Sequence, residues 1–142
     1  MKDAFGGLMN LAFVVVFLVI AIGVLALTVS YSKAYRMKNF VIATVEQYEG
    51  IKCNNSDSAC FKRVVEKAEG IGYHPASLTC EDGMENVGDY YCIKQTNAKD
   101  GYYYTIKTQV DINFPIVNKA LGITVFQISG DTKFFDNDAW YK

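Results

Sequence analysis

Leu8 to Val29 reads LMNLAFVVVFLVIAIGVLALTV, without a single charge and with Asn10 as its one strongly polar residue. The hydrocarbon core of a bilayer is about 30 Å thick and takes roughly twenty helical residues to cross. This run fits that length. In lipid the backbone must satisfy its own polar groups, so the run reads as a helix although it is rich in valine and isoleucine. A cleaved secretory signal has a shorter apolar region followed by a small-residue cleavage site. Here Tyr31-Ser32-Lys33-Ala34-Tyr35-Arg36 follows instead, which favours an uncleaved anchor.

The helix is expected to continue past the apolar run. Ala34, Met37, Val41, Thr44 and Tyr48 recur at three- and four-residue spacing, with Phe40 and Val45 beside them. No proline interrupts, and Gly50 is a natural stop. The reading is one helix over about 4–49, apolar all round in its first half and amphipathic in its second. The chain therefore divides into 1–30, the N-terminus and transmembrane helix, and 31–50, its amphipathic continuation. A head domain over 51–142 follows.

Charge and cysteines give opposite orientations. Lys33, Arg36 and Lys38 follow the span while only Lys2 precedes it, and the positive-inside rule alone would put the head in the cytoplasm. Four cysteines, Cys53, Cys60, Cys80 and Cys92, lie in the head. An even number in a small domain points to disulfides and an oxidising compartment. We place the head outside on the cysteines. Cys53–Cys60 and Cys80–Cys92 are the favoured pairs because each closes a local loop, although spacing leaves the other pairings open. Close Cys-x₂₋₄-Cys pairs, the mark of zinc sites, are missing.

The head reads as α+β. Ser58 to Glu69 forms a short helix capped by Asp57 or Ser56 and closed by Gly70. A short strand near Ser77 to Cys80 is possible. Asp89 to Thr96 is a strand, Asn97 to Gly101 a turn signalled by Asp-Gly. Tyr102 to Phe114 alternates most clearly. Tyr102, Tyr104, Ile106, Thr108, Val110 and Ile112 form its dry face, and Lys107, Gln109 and Asp111 its wet one. Ile123 to Phe135 repeats the pattern, with Phe126, Ile128 and Phe134 on one face. A three- to four-stranded antiparallel sheet packed on the amphipathic helix is the expected architecture.

Candidate sites are few. The net charge is −1, and the region after Lys38 is mildly acidic, which argues against nucleic-acid partners. The single histidine, His74, has no second imidazole and no triad partners. Glu81, Asp82 and Glu85 cluster in a loop but lack the calcium-loop order. Asn54-Asn55-Ser56 matches a glycosylation sequon. No cofactor, metal or catalytic constellation emerges, so a non-enzymatic protein is expected. Exposed tyrosines such as Tyr103 are candidate partner contacts. The apolar connection 115–122, with Phe114, Pro115, Ile116 and Leu121, either packs on its own domain or rests on the membrane or a neighbouring subunit.

The layout as a whole resembles type IV pilin-like proteins. The segment TIKTQVDINFPIVNKALGITVFQISGDTKFF, from Thr105 to Phe135, is similar to TadE-like minor pseudopilins. That resemblance implies a component of a bacterial secretion or surface-filament system, partnered by the membrane and by other pilin-like subunits or copies of itself through the N-terminal helix. Prepilins of this kind are cut after a glycine and carry a glutamate five residues into the mature helix. Here Gly6-Gly7 precedes Leu8, but the corresponding position is Ala12. The departure implies a minor, accessory or non-assembling pilin-like protein. The alternative is a membrane-tethered extracytoplasmic module that binds or senses a ligand.

Overall fold

The computed structural model describes residues 2–50, 52–75, 77–112, 115, 118–119, 122 and 124–136. Helix α1 spans Lys2–Gln47 without a break, so the apolar run and the amphipathic stretch form one rod. It ends as the glycine at 50 suggested. The Gly50 N–H reaches back to the Val45 carbonyl at 2.8 Å, with Gly50 at φ 71°. The Tyr104 ring fills the space a Cβ would need there. Any larger residue would meet both the backbone penalty and the ring.

Helix α2, Ala59–Ile71, starts one residue later and stops later than the sequence suggested. Asn55 Oδ1 accepts the Asp57 N–H at 2.9 Å, forming a turn that occupies Asp57 before the helix begins. Ser58 then caps, its Oγ accepting the Phe61 N–H at 3.1 Å. Gly70 stays helical, and the left-handed position falls at Gly72, φ 66°. The helix runs back along α1, with Arg63 donating to Gln47 and Lys33 Nζ to the Gly72 carbonyl.

Strands β1 (Glu85–Val87), β2 (Tyr91–Ala98), β3 (Gly101–Asp111) and β4 (Val125–Asp131) form an antiparallel meander in that order. Short β5, Phe135–Asp136, pairs with the start of β3. The architecture is α+β, a long apolar helix, a second short helix and an antiparallel sheet packed on the first. The turn between β2 and β3 is tighter than expected. Ala98 pairs with Gly101, leaving only Lys99 and Asp100 outside the ladder.

Three departures have physical causes. The chain over Ser77–Cys80 is not a strand. Side-chain amides, rather than a ladder, hold it on the outer face of the sheet. Gln109 Nε2 donates to the Ser77 carbonyl, Gln109 Oε1 accepts the Thr79 N–H, and Gln127 Nε2 donates to the Thr79 carbonyl. Gln109, expected on the wet face, is consequently buried. Finally, the last strand is interrupted at Thr132, whose hydroxyl accepts the Tyr104 N–H. The interruption shifts the alternation, so Phe134 faces solvent and Phe135 turns inward. There Phe135 stacks on Tyr102 with ring centroids 5.3 Å apart.

The core lies between the second half of α1 and the sheet. Ala34, Met37, Val41 and Val45 are fully buried against Val64, Ala68, Tyr91, Ile93, Ile106, Val110 and Ile128. This is the i, i+3/i+4 stripe that the sequence carries.

Candidate functional site

The first half of α1 packs against almost nothing. Phe13 and Phe17 are 68% and 71% exposed, and every large side chain from Phe5 to Val29 that is described is exposed. This one helix is long and apolar enough to cross a membrane. Its polar groups are few. Thr28 Oγ1 returns its hydrogen to the Val24 carbonyl at 2.8 Å, so that hydroxyl is satisfied inside the helix. The side chain of Asn10 is exposed on the apolar surface.

A joint fixes the head to α1 directly beyond that surface. Thr108 Oγ1, buried, donates to the Ala34 carbonyl at 3.1 Å. At the far end of the rod, Glu46 accepts the Lys133 N–H. Gly130 sits so close to Ile42 that a Cβ there would lie 2.9 Å from Cδ1. Two of the three cations that follow the apolar run are engaged at this joint. Lys33 binds the Gly72 carbonyl, and Lys38 lies 4.5 Å over the Tyr35 ring, beside Gly130.

Disulfides Cys53–Cys60 and Cys80–Cys92 staple the head, and none of the four cysteines is free. The first closes the link between the helices, where the Tyr91 hydroxyl also donates to the Cys53 carbonyl at 2.6 Å. The second ties the outer segment to β2. Burial raises the pKa of the Tyr91 hydroxyl well above the usual phenol value. Tyr73, also buried, is pushed up to about 12, chiefly by desolvation. Its hydroxyl accepts the Gln109 N–H at 3.0 Å and donates to the Gln109 carbonyl at 3.1 Å. Tyr104 shifts up for the same leading reason, with Tyr102 adding to it.

The other singled-out residues are scattered. Tyr103 is half-buried on β3 opposite Thr96. Pro115 is exposed, whereas Phe114, Ile116 and Leu121 lie outside the described residues. His74 is exposed next to Pro75. Glu81 pairs with Lys107 on β3. Among the described residues, no three His, Cys, Asp or Glu side chains converge as metal ligands do. One open polar groove of about 420 Å³ runs between the end of α1 and β2. It is lined by Asn54, Glu85, Lys94, Gln95 and Tyr104, with the Tyr104 hydroxyl 3.3 Å from Gln95 Oε1.

Sequence reasoning missed the Gln109–Gln127 clamp, because strict alternation assigned both amides to solvent. A glutamine flanked by threonine and valine in the most apolar strand was the available signal. Comparison with protein-family models, curated proteins and solved structures finds no match.

Proposed function

We propose that this chain is a single-pass membrane protein and a pilin-like, TadE-like component of a bacterial secretion or surface-filament system. In this reading residues 8–29 cross the bilayer and the stapled head sits in the oxidising, extracytoplasmic compartment. It does no chemistry of its own. Its work is helix packing within the membrane and docking of the head on partner subunits. The observation that carries the reading is the continuity of α1. One helix presents a bare apolar surface in its first half and supplies the core of the head in its second, so movement of the helix in the membrane is transmitted rigidly to the head. The Lys33 amine meets the Gly72 carbonyl of the head and the Lys38 amine the Tyr35 ring of α1, which supports a structural role for these basic residues over cytoplasmic retention.

Within lipid, helix association relies on close packing and on polar side chains as glue. Asn10 is the group in this span suited to that role. Energy transfer between fluorescently labelled full-length chains in phosphatidylcholine vesicles tests it. Dilution-sensitive transfer that weakens in Asn10→Leu, by about 1 kcal/mol of association energy, is expected. Chains that stay monomeric at every protein-to-lipid ratio, alone and with co-resident pilin-like subunits, would remove the assembly reading. An impermeant thiol reagent added to intact cells before and after reduction checks the side on which the head lies.

The groove beside Tyr104 favours a second reading, a tethered module that binds a small polar ligand such as a sugar. An aromatic face next to amide, carboxylate and ammonium groups suits hydroxyl-rich ligands. Saturable chemical-shift changes at Gln95 and Tyr104 upon titration with oligosaccharides would support it over assembly.

A further inference from the structure

The joint between head and α1 fixes how far down the rod the sheet reaches. Gly130 on β4 lies against Ile42 and Lys38. Five residues of strand separate it from Val125, roughly 17 Å, equal to about eleven residues of helix. On β3, Thr108 bonds the Ala34 carbonyl. Three more residues bring the strand to its end at Asp111, roughly 10 Å further, or about seven helical residues. Allowing for strand inclination, both estimates put this end of the sheet beside Leu27 to Tyr31, where the apolar run of α1 stops.

Two large apolar side chains stand bare at that height, beside a polar groove lined by Ser30, Lys33, His74 and Asp111. Val125 and Phe126 are 41% and 51% exposed, and Pro115 is exposed nearby in sequence. Successive strand residues point to opposite faces of a sheet. Val125 and Phe126 therefore bare apolar surface on both faces at one end. A protein partner docked on one face would cover one of them. A medium into which the end is dipped covers both. On α1, Tyr31 lies at that height and stacks on Tyr35 one turn further along, with centroids 6.3 Å apart. Tyrosine favours the boundary between headgroups and acyl chains. The carboxylate at this end, Asp111, receives the Gln109 amide at 2.7 Å.

We propose that this end of the head is seated in the headgroup–acyl boundary of the bilayer that α1 crosses, with lipid as the occupant around Val125 and Phe126. The inference rests on the membrane-spanning reading of α1. The head is then held on the membrane surface at two places, the helix and the sheet end, which fixes its tilt as well as its height. A lone tether would leave the tilt free.

Tryptophan quenching by brominated lipids tests this on the full chain. The sequence has one tryptophan, Trp140, so Trp140→Phe provides the background. Into it go Phe126→Trp at the sheet end, Phe17→Trp in the span and Lys99→Trp at the distant turn, each at an exposed position. The proteins are placed in phosphatidylcholine–phosphatidylglycerol vesicles brominated either near the headgroups or near the chain ends. Shallow bromines should quench Phe126→Trp more strongly than deep ones do, deep bromines should quench Phe17→Trp, and Lys99→Trp should respond to neither. An unquenched Phe126→Trp beside a quenched Phe17→Trp overturns the inference and leaves the span intact. If its emission is blue-shifted yet unquenched, a protein neighbour covers the site, which also overturns it. Failure of both to quench overturns the membrane reading together with the inference.

Discussion

Both halves of α1 carry large apolar side chains and use them in opposite ways. Phe13, Phe17 and Leu25 stand 65–71% exposed, while Met37, Val41 and Val45 are fully buried. The difference is that charged and polar residues occupy one side of the second half, whereas Leu8 to Val29 carries no charge. The first half is apolar on every side, so no single partner face could cover it, whereas the second confines its apolar groups to one stripe that the sheet and α2 close over. A helix apolar all round needs an apolar surround, and an amphipathic one needs a lid.

One pair of substitutions attacks this contrast most strongly. Val41→Asp buries an unpaired carboxylate in the core and should cost more than about 4 kcal/mol, enough to unfold the head in chemical denaturation. Phe17→Asp should leave the denaturation midpoint of the head unchanged. Its effect should appear in membrane insertion, at about 3 kcal/mol. Equal loss of head stability from both would erase the distinction between the halves.

The disulfides sharpen the comparison, because both lie in the head that closes over the second half alone. Replacing Cys80 and Cys92 together by alanine should destabilise the head by about 2–4 kcal/mol. Helicity of residues 8–29, followed by circular dichroism in vesicles, should not change. A smaller loss is expected for Gln109→Ala, about 1–3 kcal/mol, since the Ser77–Thr79 segment loses two of its amide contacts. Faster amide exchange at Thr79 in this variant would locate the effect.

Alkaline pH discriminates more gently. The buried hydroxyls of Tyr73 and Tyr91 have pKa values raised above the usual 10, to about 12 for Tyr73. Between these values the unfolded chain loses phenolic protons that the folded head retains, so deprotonation favours unfolding. The stability contribution is complete below pH 10 and declines as pH rises through 12. Thermal unfolding followed by tyrosine absorbance should show the decline, and Tyr73→Phe should reduce its slope.

Most of the architecture was legible because it rests on periodicity. The uncharged run, the stripe from Ala34 to Tyr48 and the alternation in β3 each report a local geometry directly. What escaped depends on non-local partners. Gln109 is buried because a segment thirty-odd residues earlier in the chain lies over it, and Phe134 faces out because Thr132 spends its hydroxyl on Tyr104. The start of α2 was misplaced for a local reason, a turn at Asn55 that competes for Asp57. The site was less legible than the fold, since exposed apolar surfaces and a polar groove have no residue signature comparable to a catalytic triad.

The run long and apolar enough to cross a membrane and the core helix of the head form one uninterrupted rod. Hydrogen–deuterium exchange of the full chain in phosphatidylcholine vesicles tests it at each amide. The account predicts continuous protection from Leu8 through Val45, including Ser30 to Lys33, where lipid gives way to the head. Exchange at loop rates over Ser30 to Lys33, between two protected stretches, would contradict it and reduce α1 to a tether joined to a separate helix.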